Sequence, residues 1–380
     1  MTWTAPGPLL EVGGWTQSQA RMTHPPAASG YVPSLDGLRA VSILVVFVSH
    51  VGFGDIVPGG FGVTVFFFLS GYLITTLLCR EFAAYGRISL RAFYLRRLVR
   101  LGPPLIVTLA FATALGAAGL VGGAYDPGIL ISQIFFYYNY YVLAAGGSWI
   151  YGLEILWSLS IEEHFYIVWP ALFMGLALAD PKTALRTLAG LLVAALVWRV
   201  VRHLVFGADE WTIYISTDTR FDSLIYGCLL AFAQWRGAAA RLFPDGLGRN
   251  LLILASLVLL LASFVIRDPT FRSTLRYSLQ GVALIPIFHY AVTRPELWVF
   301  RPLNWAPVRR LGVYSYTFYL VHFVLVGVVT TLGLGEPRSI ALFVLAGGGS
   351  TLFAAAVHRW AERPLKPLRA RLTGHDERRA

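Results

Sequence analysis

The 380-residue sequence contains little charge and only two cysteines. Just 13% of its residues are charged and 56% are hydrophobic, whereas soluble domains have about a quarter charged residues. Together with a mean hydropathy of +0.63 and many long apolar runs, this scarcity of charge excludes an ordinary soluble protein. Cys79 and Cys228 lie in or beside apolar runs, so no disulfide framework is implied, and their spacing matches no metal motif.

The formal net charge is +11, yet the basic residues are spread between apolar runs and form no single basic patch. This distribution argues against nucleic-acid binding and is typical of membrane topology, in which basic residues concentrate in cytosolic loops. Residues 1–30 lack the apolar core of a signal peptide, so we interpret them as a flexible cytosolic tail. We interpret residues 31–365 as one transmembrane domain and residues 366–380 as a charged cytosolic tail.

Ten apolar runs are long enough to cross a bilayer, since a spanning helix needs about 20 residues. These runs lie near residues 38–54, 60–79, 103–121, 155–178, 185–205, 217–235, 250–266, 274–292, 311–333 and 339–358. Arginines follow every second run, which predicts an even number of crossings with both termini in the cytosol. The tyrosine-rich run 129–145 is interpreted as a re-entrant or interfacial segment, and an eleventh span is the alternative. The sequence thus predicts an all-α, polytopic membrane protein with about ten transmembrane helices.

The connection after the second run is rich in arginine. We interpret residues 88–101 as an amphipathic helix that lies on the cytosolic membrane surface. Arg97 and Arg100 are three residues apart and therefore share one helical face, where guanidinium groups match phosphate oxygens. Two interpretations stay open: these arginines contact anionic lipid, or they bind a cytosolic cosubstrate that carries phosphate.

Arg39 and His50 are ionisable residues of the first apolar run. They are about three helical turns apart, so both lie on one face, roughly 16 Å apart in depth. Ionisable groups in a spanning helix suggest function, and a neutral imidazole is a natural general base near pH 7. Glu162 and Glu163 are predicted to lie at the depth of His50, where one carboxylate would fix the imidazole tautomer. Adjacent helical residues point about 100° apart, so only one of the two can do so.

Four further polar side chains are predicted inside the membrane, and they are Asp218, Arg220, Asp222 and His322. A structural interpretation is that Arg220 pairs with a nearby carboxylate and that His322 donates an interhelical hydrogen bond. The alternative is that this cluster faces the substrate. Arg199 and Arg202 are expected to extend toward the outer membrane interface.

Seven sequence blocks, in order, resemble the membrane-bound acyltransferase-3 family: LDGLRAVSILVVFVSH, FFFLSGYLI, RRLVRLGPPL, WSLSIEEHFYIVWP, DTRFDSLIYG, LGVYSYTFYLVH and AERPL. This family comprises multi-span enzymes that O-acylate bacterial surface sugars, nodulation signals and some macrolides. The resemblance implies a ten-helix core in the bacterial cytoplasmic membrane and an acyl-CoA, by default acetyl-CoA, bound from the cytosol. It also implies that His50 is catalytic, that Arg39 is essential, and that Arg97 and Arg100 bind the donor.

The SGYL block adds Ser70 and Gly71, small residues that would let another helix or a thin acyl-pantetheine chain pass close to His50. We expect His50 to take the proton from a hydroxyl of a glycan or small-molecule acceptor, without a metal ion; a covalent acyl-histidine is a variant. The sequence departs from the family where His164 replaces a frequent glutamine. Two other interpretations are a transporter or flippase, and a metal site formed by His50, His322 and a glutamate.

Overall fold

The computed structural model describes residues 32–123, 126–145 and 152–374, and within these ranges it contains helices and no strand. The predicted all-α class is therefore confirmed. The α-helices, numbered in chain order, are α1 Pro33–Val48, α2 Gly59–Tyr85, α3 Leu90–Ala117, α4 Pro127–Ile134, α5 Tyr138–Ala145, α6 Trp157–Leu178, α7 Pro181–Leu204, α8 Glu210–Ile215, α9 Thr217–Trp235, α10 Ala239–Leu242, α11 Leu247–Val265, α12 Pro269–Ser273, α13 Leu275–Thr293, α14 Ala306–Thr331, α15 Ile340–Val357 and α16 Lys366–Gly374.

Seven of the described helices are long and apolar enough to cross a membrane: α1 with the π-helical turn that extends it, α2, α3, α7, α11, α14 and α15. The helices α6, α9 and α13 are 22, 19 and 19 residues long but carry more polar side chains. All ten lie where the sequence predicts a span. The number of helices that cross the membrane stays a prediction, because the last three do not meet the same criterion of apolarity.

The tyrosine-rich run 129–145 does not form one continuous helix. It is divided between α4 and α5, which have eight residues each, and Phe136 between them has a positive φ of 59°. Each helix is about 12 Å long, far less than the roughly 30 Å of a bilayer core. An eleventh span made of one continuous helix is thus not formed, and the re-entrant or interfacial placement stays a prediction.

The expected surface helix over residues 88–101 is wrong as a separate element, because α3 continues through Pro103 and Pro104 to Ala117. A proline lacks the N–H that would bond to the carbonyl four residues earlier, and it usually breaks a helix. The carbonyl of Val99, which Pro103 leaves without its helical donor, accepts a hydrogen bond from the Arg369 guanidinium at 3.1 Å. The helix continues because this side chain, from α16, replaces the missing donor.

Both predicted tails extend beyond the described residues. Residues 1–30 lie outside them, as do residues 375–380 at the other end. The first nine residues of the charged segment 366–380 form α16, which packs against α3.

The helices α2 and α9 pack with their backbones in contact. A Cβ atom on Gly71 would overlap the carbonyl oxygen of Leu224, and one on Gly227 would overlap the carbonyl oxygen of Phe68. Small residues permit such close helix packing in a membrane. Gly71 therefore makes room for a helix, which is one of its two predicted roles.

Candidate active site

His50 lies in the π-helical turn Ser49–Phe53 at the end of α1. This turn contains Gly52 at a φ of +108°, a conformation that favours glycine. The backbone N–H of Arg338 donates to the carbonyl of Val51 at 2.8 Å, and the Arg338 side chain donates to the carbonyl of Gly52 at 2.8 Å. The segment before α15 thus holds the turn in place. Such π-helical turns occur frequently at functional sites.

The imidazole of His50 is hydrogen-bonded to a second histidine. Its Nδ1 lies 2.9 Å from Nε2 of His322, whose own Nδ1 lies 2.7 Å from the carbonyl oxygen of Tyr319. A carbonyl oxygen only accepts, so Nδ1 of His322 carries the hydrogen and Nε2 of a neutral His322 accepts from His50. His50 therefore donates through Nδ1 and keeps the lone pair on Nε2. This is the tautomer that a general base requires.

The expected pairing of His50 with Glu162 or Glu163 is wrong. Glu162 accepts a hydrogen bond from the Ser70 hydroxyl at 3.0 Å, and Oε1 of Glu163 is buried with no hydrogen-bond partner in the described part of the chain. The reason is depth: Trp157, at the start of α6, lines the same cavity as His50, and Glu162 follows five residues later, or about 7 Å deeper along the helix. The glutamates thus lie toward the Arg39 end of α1.

Two cavities lie at the two ends of α1. The cavity at the His50 end, here called the histidine cavity, has a volume of about 910 Å³. Besides His50, its lining includes the aromatic residues Phe61, Trp157, Trp211, Tyr214, Phe264, Tyr277 and Phe323 and the charged residues Asp55, Glu154, Glu210, Arg267, Arg272 and Arg276. The cavity at the other end, here called the arginine cavity, has a volume of about 120 Å³. Its lining includes Arg39, Ser70, Arg97, Arg100, Glu162, Tyr166 and Tyr316.

The arginine cavity brings together side chains that the sequence assigns to donor binding. Arg39, Arg97, Arg100 and Ser70 all line it. Arg39 forms an ion pair with Asp36 at 2.6 Å. Within the described ranges no carboxylate lies within ion-pair distance of Arg97 or Arg100, so both guanidiniums are open to an anionic ligand.

Two side chains lie between the two cavities. Tyr319 and Val63 line both of them. The Tyr319 hydroxyl donates to the carbonyl of Ile155 at 3.0 Å and is hydrogen-bonded to the Ser158 hydroxyl at 2.8 Å. The backbone carbonyl of the same tyrosine accepts from His322. Tyr319 therefore forms the wall between the cavities and also fixes the tautomer of the histidine pair.

The polar residues of α9 serve mainly to hold helices together. Asp222 forms a fully buried ion pair with Arg199, which also donates to the carbonyl of Thr274 at 3.1 Å. Arg199 was expected at the membrane interface, and this expectation is wrong because Asp222 and a backbone carbonyl satisfy the guanidinium inside the protein. Asp218 accepts a hydrogen bond from the Trp198 indole at 2.7 Å.

Arg220 does not form the expected ion pair with a carboxylate. Its guanidinium donates to the Thr64 hydroxyl at 3.0 Å and lies 3.9 Å from the centre of the Tyr277 ring. It is completely buried, and its Nε and Nη1 atoms have no hydrogen-bond partner among the described residues. Cation–π contact with a wall of the histidine cavity replaces the predicted ion pair.

The sequence reasoning missed the charged lining of the histidine cavity, above all Glu154, Glu210 and Arg276. A signal was present in Arg267 and Arg272, which lie in a connection that the predicted topology places on the arginine-poor side of the membrane. Among the described residues no group of three or more His, Cys, Asp or Glu side chains is placed to hold a metal ion. The alternative metal site thus lacks the glutamate that it requires beside His50 and His322.

The fold and site define a helical protein with several membrane-spanning candidates and two cavities that share Tyr319 and Val63 as lining residues. Residues 32–359 match the acyltransferase domain family, and the chain belongs to this acyltransferase-3 family. The chain is 29% identical over 358 residues to the peptidoglycan O-acetyltransferase OatA of Listeria monocytogenes, a match that covers 88% of this chain and 56% of the relative.

A second relative, YrhL of Bacillus subtilis, is named as a predicted peptidoglycan O-acetyltransferase. It is 30% identical over 372 residues, which are 91% of this chain and 56% of the relative. The chain thus spans a little over half the length of these relatives. No solved structure shows a significant match.

Proposed function

We propose that this chain is a membrane-embedded O-acyltransferase that moves an acyl group, by default acetyl, from acyl-CoA to a hydroxyl of a carbohydrate or glycosylated metabolite. The observation that carries the proposal is the hydrogen-bonded chain from His50 through His322 to the Tyr319 carbonyl, which leaves the lone pair on Nε2 of His50, a base on the wall of a cavity large enough for a sugar. Membership of the acyltransferase-3 family and relatives named as O-acetyltransferases support the same reaction class.

The donor enters through the arginine cavity, which faces the cytosol in the predicted topology. Guanidinium forks bind phosphate oxygens, and among the described residues no carboxylate forms an ion pair with Arg97 or Arg100. The cavity is far smaller than the histidine cavity, so it suits an extended pantetheine arm, with the nucleotide held at its mouth. Arg39 lies beside this path, on the same helix as His50.

The acceptor binds in the histidine cavity with its hydroxyl beside His50. Nε2 of His50 takes the hydroxyl proton as the oxygen attacks the thioester carbonyl, and the imidazolium then returns this proton to the departing CoA thiolate. His322 keeps its lone pair toward Nδ1–H of His50 throughout, which holds the ring in position and stabilises its charged form. General-base help of this kind contributes about 10²–10⁴-fold to the rate.

The acyl group has to pass the wall between the cavities, which Tyr319 and Val63 form. An acyl-histidine at the same Nε2 would be an alternative route, since that nitrogen is also the free nucleophile. A burst of CoA release in the absence of acceptor would distinguish this route from direct attack.

The test uses purified full-length protein in detergent with radiolabelled acetyl-CoA and an oligosaccharide acceptor. We expect label on the acceptor, and its loss by at least about 10²-fold in His50→Ala protein that inserts and unfolds like wild type. An active and normally folded His50→Ala protein would refute the mechanism. A transporter would give no labelled product in detergent, because transport needs a sealed compartment.

A further inference from the structure

The lining of the histidine cavity contains more arginine than its carboxylates neutralise. Arg267, Arg272 and Arg276 all line it. The predicted topology places them at the end of the bundle where basic residues are scarce, so topology does not explain their presence.

The ion pairs of this cavity do not neutralise all of its positive charge. Glu210 alone pairs with both Arg272, at 2.7 Å, and Arg276, at 3.2 Å. The lining aspartate, Asp55, pairs with Arg338 at 2.6 Å. Within the described residues, Arg267 forms no ion pair, and it donates to the backbone carbonyl of Asp55 at 3.4 Å. Two guanidinium charges of the lining therefore exceed the carboxylates that these pairs supply.

The third lining carboxylate does not restore the balance. Glu154 supplies at most one negative charge against the two guanidinium charges in excess, and burial of its carboxyl raises the pKa of Glu154. Behind the aromatic lining of the histidine cavity, the buried guanidinium of Arg220 lies 3.9 Å from the ring centre of Tyr277 and 5.3 Å from that of Tyr214. Both rings line the cavity, so Arg220 adds to the positive charge around it.

The neutral part of the lining suits a sugar. The ring of Tyr214 lies 4.5 Å from that of Trp157 and 5.9 Å from that of Trp211, centre to centre, which forms a continuous aromatic surface. Aromatic rings of this kind present an apolar face with a polar edge. The arginines lie on the lining of the same cavity as this surface and His50.

We propose that the histidine cavity selects an acidic acceptor, a saccharide that carries a carboxylate or phosphate group near the hydroxyl to be acylated. Arg267 and Arg272 bind the anionic group, while the aromatic surface holds the sugar ring beside His50. This inference rests on the proposed O-acyltransferase function, whose acceptor it specifies. Hydrogen bonds from guanidinium to an ionised group predict a preference of about 10-fold to 100-fold over a neutral acceptor.

The experiment compares acceptors of equal length that differ in charge, using full-length protein in detergent. A neutral N-acetylglucosamine tetramer and a hyaluronan tetrasaccharide form one pair, and N-acetylglucosamine and its 1-phosphate form another. Binding by calorimetry and acetyl transfer from radiolabelled acetyl-CoA are both measured. We expect the acidic member of each pair to bind and react at least about 10-fold better, and equal values for both members would overturn the proposal.

The variants Arg267→Gln and Arg267→Gln with Arg272→Gln should bring the ratio of acidic to neutral acceptor toward one. Arg294→Gln is the matched control, because Arg294 pairs with Asp245 at an exposed site outside both cavities. An unchanged ratio in the folded single and double variants would contradict the assignment.

Two further outcomes separate the hypotheses. Preferential binding of acidic sugars without any transfer would support the charged site and refute the proposed enzyme, whereas transfer without preference would refute the charged site alone. Anionic lipid is the other source of phosphate. If added phosphatidylglycerol abolishes the preference, then lipid and not the acceptor occupies the arginines.

Discussion

The arginine cavity and the histidine cavity lie at opposite ends of α1, yet they handle charge in different ways. Arg97 and Arg100 line a space of about 120 Å³ without an ion-pair partner among the described residues. Arg272 and Arg276 line a space of about 910 Å³ and share the carboxylate of Glu210. Unpaired guanidiniums pay little to exchange water for phosphate, whereas paired ones are held in position. The first arrangement suits capture of a strongly anionic donor, and the second suits orientation of a larger acceptor.

After loss of His50 itself, substitution of His322 should have the largest effect on activity. His322 takes part only in the chemistry at the histidine cavity. His322→Ala removes the acceptor of the His50 Nδ1 hydrogen, so the ring is free to turn or to adopt the unproductive tautomer. We expect kcat to fall by about 10²-fold, while the KM for acetyl-CoA changes little.

His322→Gln is the conservative variant, because its amide oxygen offers an acceptor in place of Nε2. It should recover part of the lost kcat and give a pH–rate profile closer to that of wild type. Equal losses of kcat in the two variants, with the same pH–rate profile, would show that His322 acts only as a packing residue.

Removal of the donor-binding charges should affect only the other cavity. Arg97→Ala with Arg100→Ala should raise the KM for acetyl-CoA by about 10-fold or more, since each hydrogen bond to a charged group contributes about 1.5–3 kcal/mol. Arg96→Ala is the matched control from the same helix, because Arg96 pairs with Glu81 at 2.8 Å and does not line the cavity.

Acetyl-pantetheine, which lacks the nucleotide phosphates, sharpens this experiment. With acetyl-pantetheine as the donor, the double variant should be as active as wild type. This donor has no nucleotide phosphates, so the substitutions remove no contact to it. If the variant were equally impaired with both donors, the arginines would serve the fold and not the phosphates.

Substitutions of Tyr319, in the wall between the cavities, should have larger effects when more of the side chain is removed. Tyr319→Phe loses the hydrogen bonds to Ser158 and Ile155, which should lower the free energy of unfolding by about 1–2 kcal/mol. Tyr319→Ala removes the ring as well and joins the two spaces, so acetyl-CoA should be hydrolysed faster when no acceptor is present. Release of CoA measured without acceptor tests this, and Tyr316→Phe, which changes a hydroxyl of the arginine cavity only, is the control.

The smallest effect is expected for Asp55, an exposed residue in the lining of the histidine cavity. The Arg338 guanidinium holds the pKa of the exposed Asp55 below its usual value. Because the folded-state pKa is depressed, this ion pair stabilises the protein above the unfolded pKa of about 3.9, and its contribution is lost as the pH falls through the folded pKa.

Asp55→Asn should accordingly lower Tm slightly at pH 7 and by less at pH 3, which lies below the unfolded pKa. An equal change of Tm at both pH values would show that the carboxylate charge does not contribute to this clamp.

The all-α class and the positions of the long helices could be predicted from the sequence because apolar runs of about 20 residues indicate helices in a bilayer, whereas the number of spans stays a prediction. The set of arginine-cavity residues was also accessible, since Arg97 and Arg100 share a face. The partner of His50 was not, because depth along α6 had to be inferred from topology without knowing where the helix begins. A carboxylate was favoured on general grounds, yet His322 lies 272 positions away and only the packing of α14 against α1 brings it there.

The continuity of α3 and the burial of Arg199 were missed for a related reason. Local rules predict a break at Pro103 and an interfacial position for Arg199. In both cases a distant group overrides the rule: the Arg369 guanidinium replaces a missing backbone donor, and Asp222 balances a buried cation.

The π-helical turn that carries His50 has a consequence for how this chain tolerates change. The imidazole direction depends on the number of residues between Arg39 and the end of α1, since one residue more or less rotates everything beyond it by about 100°. Substitutions within this interval alter its surface, but an insertion or deletion would turn the base away from both its partner and the cavity. The length of the first helix therefore sets the direction of the imidazole. This stretch should tolerate substitutions far more readily than insertions or deletions.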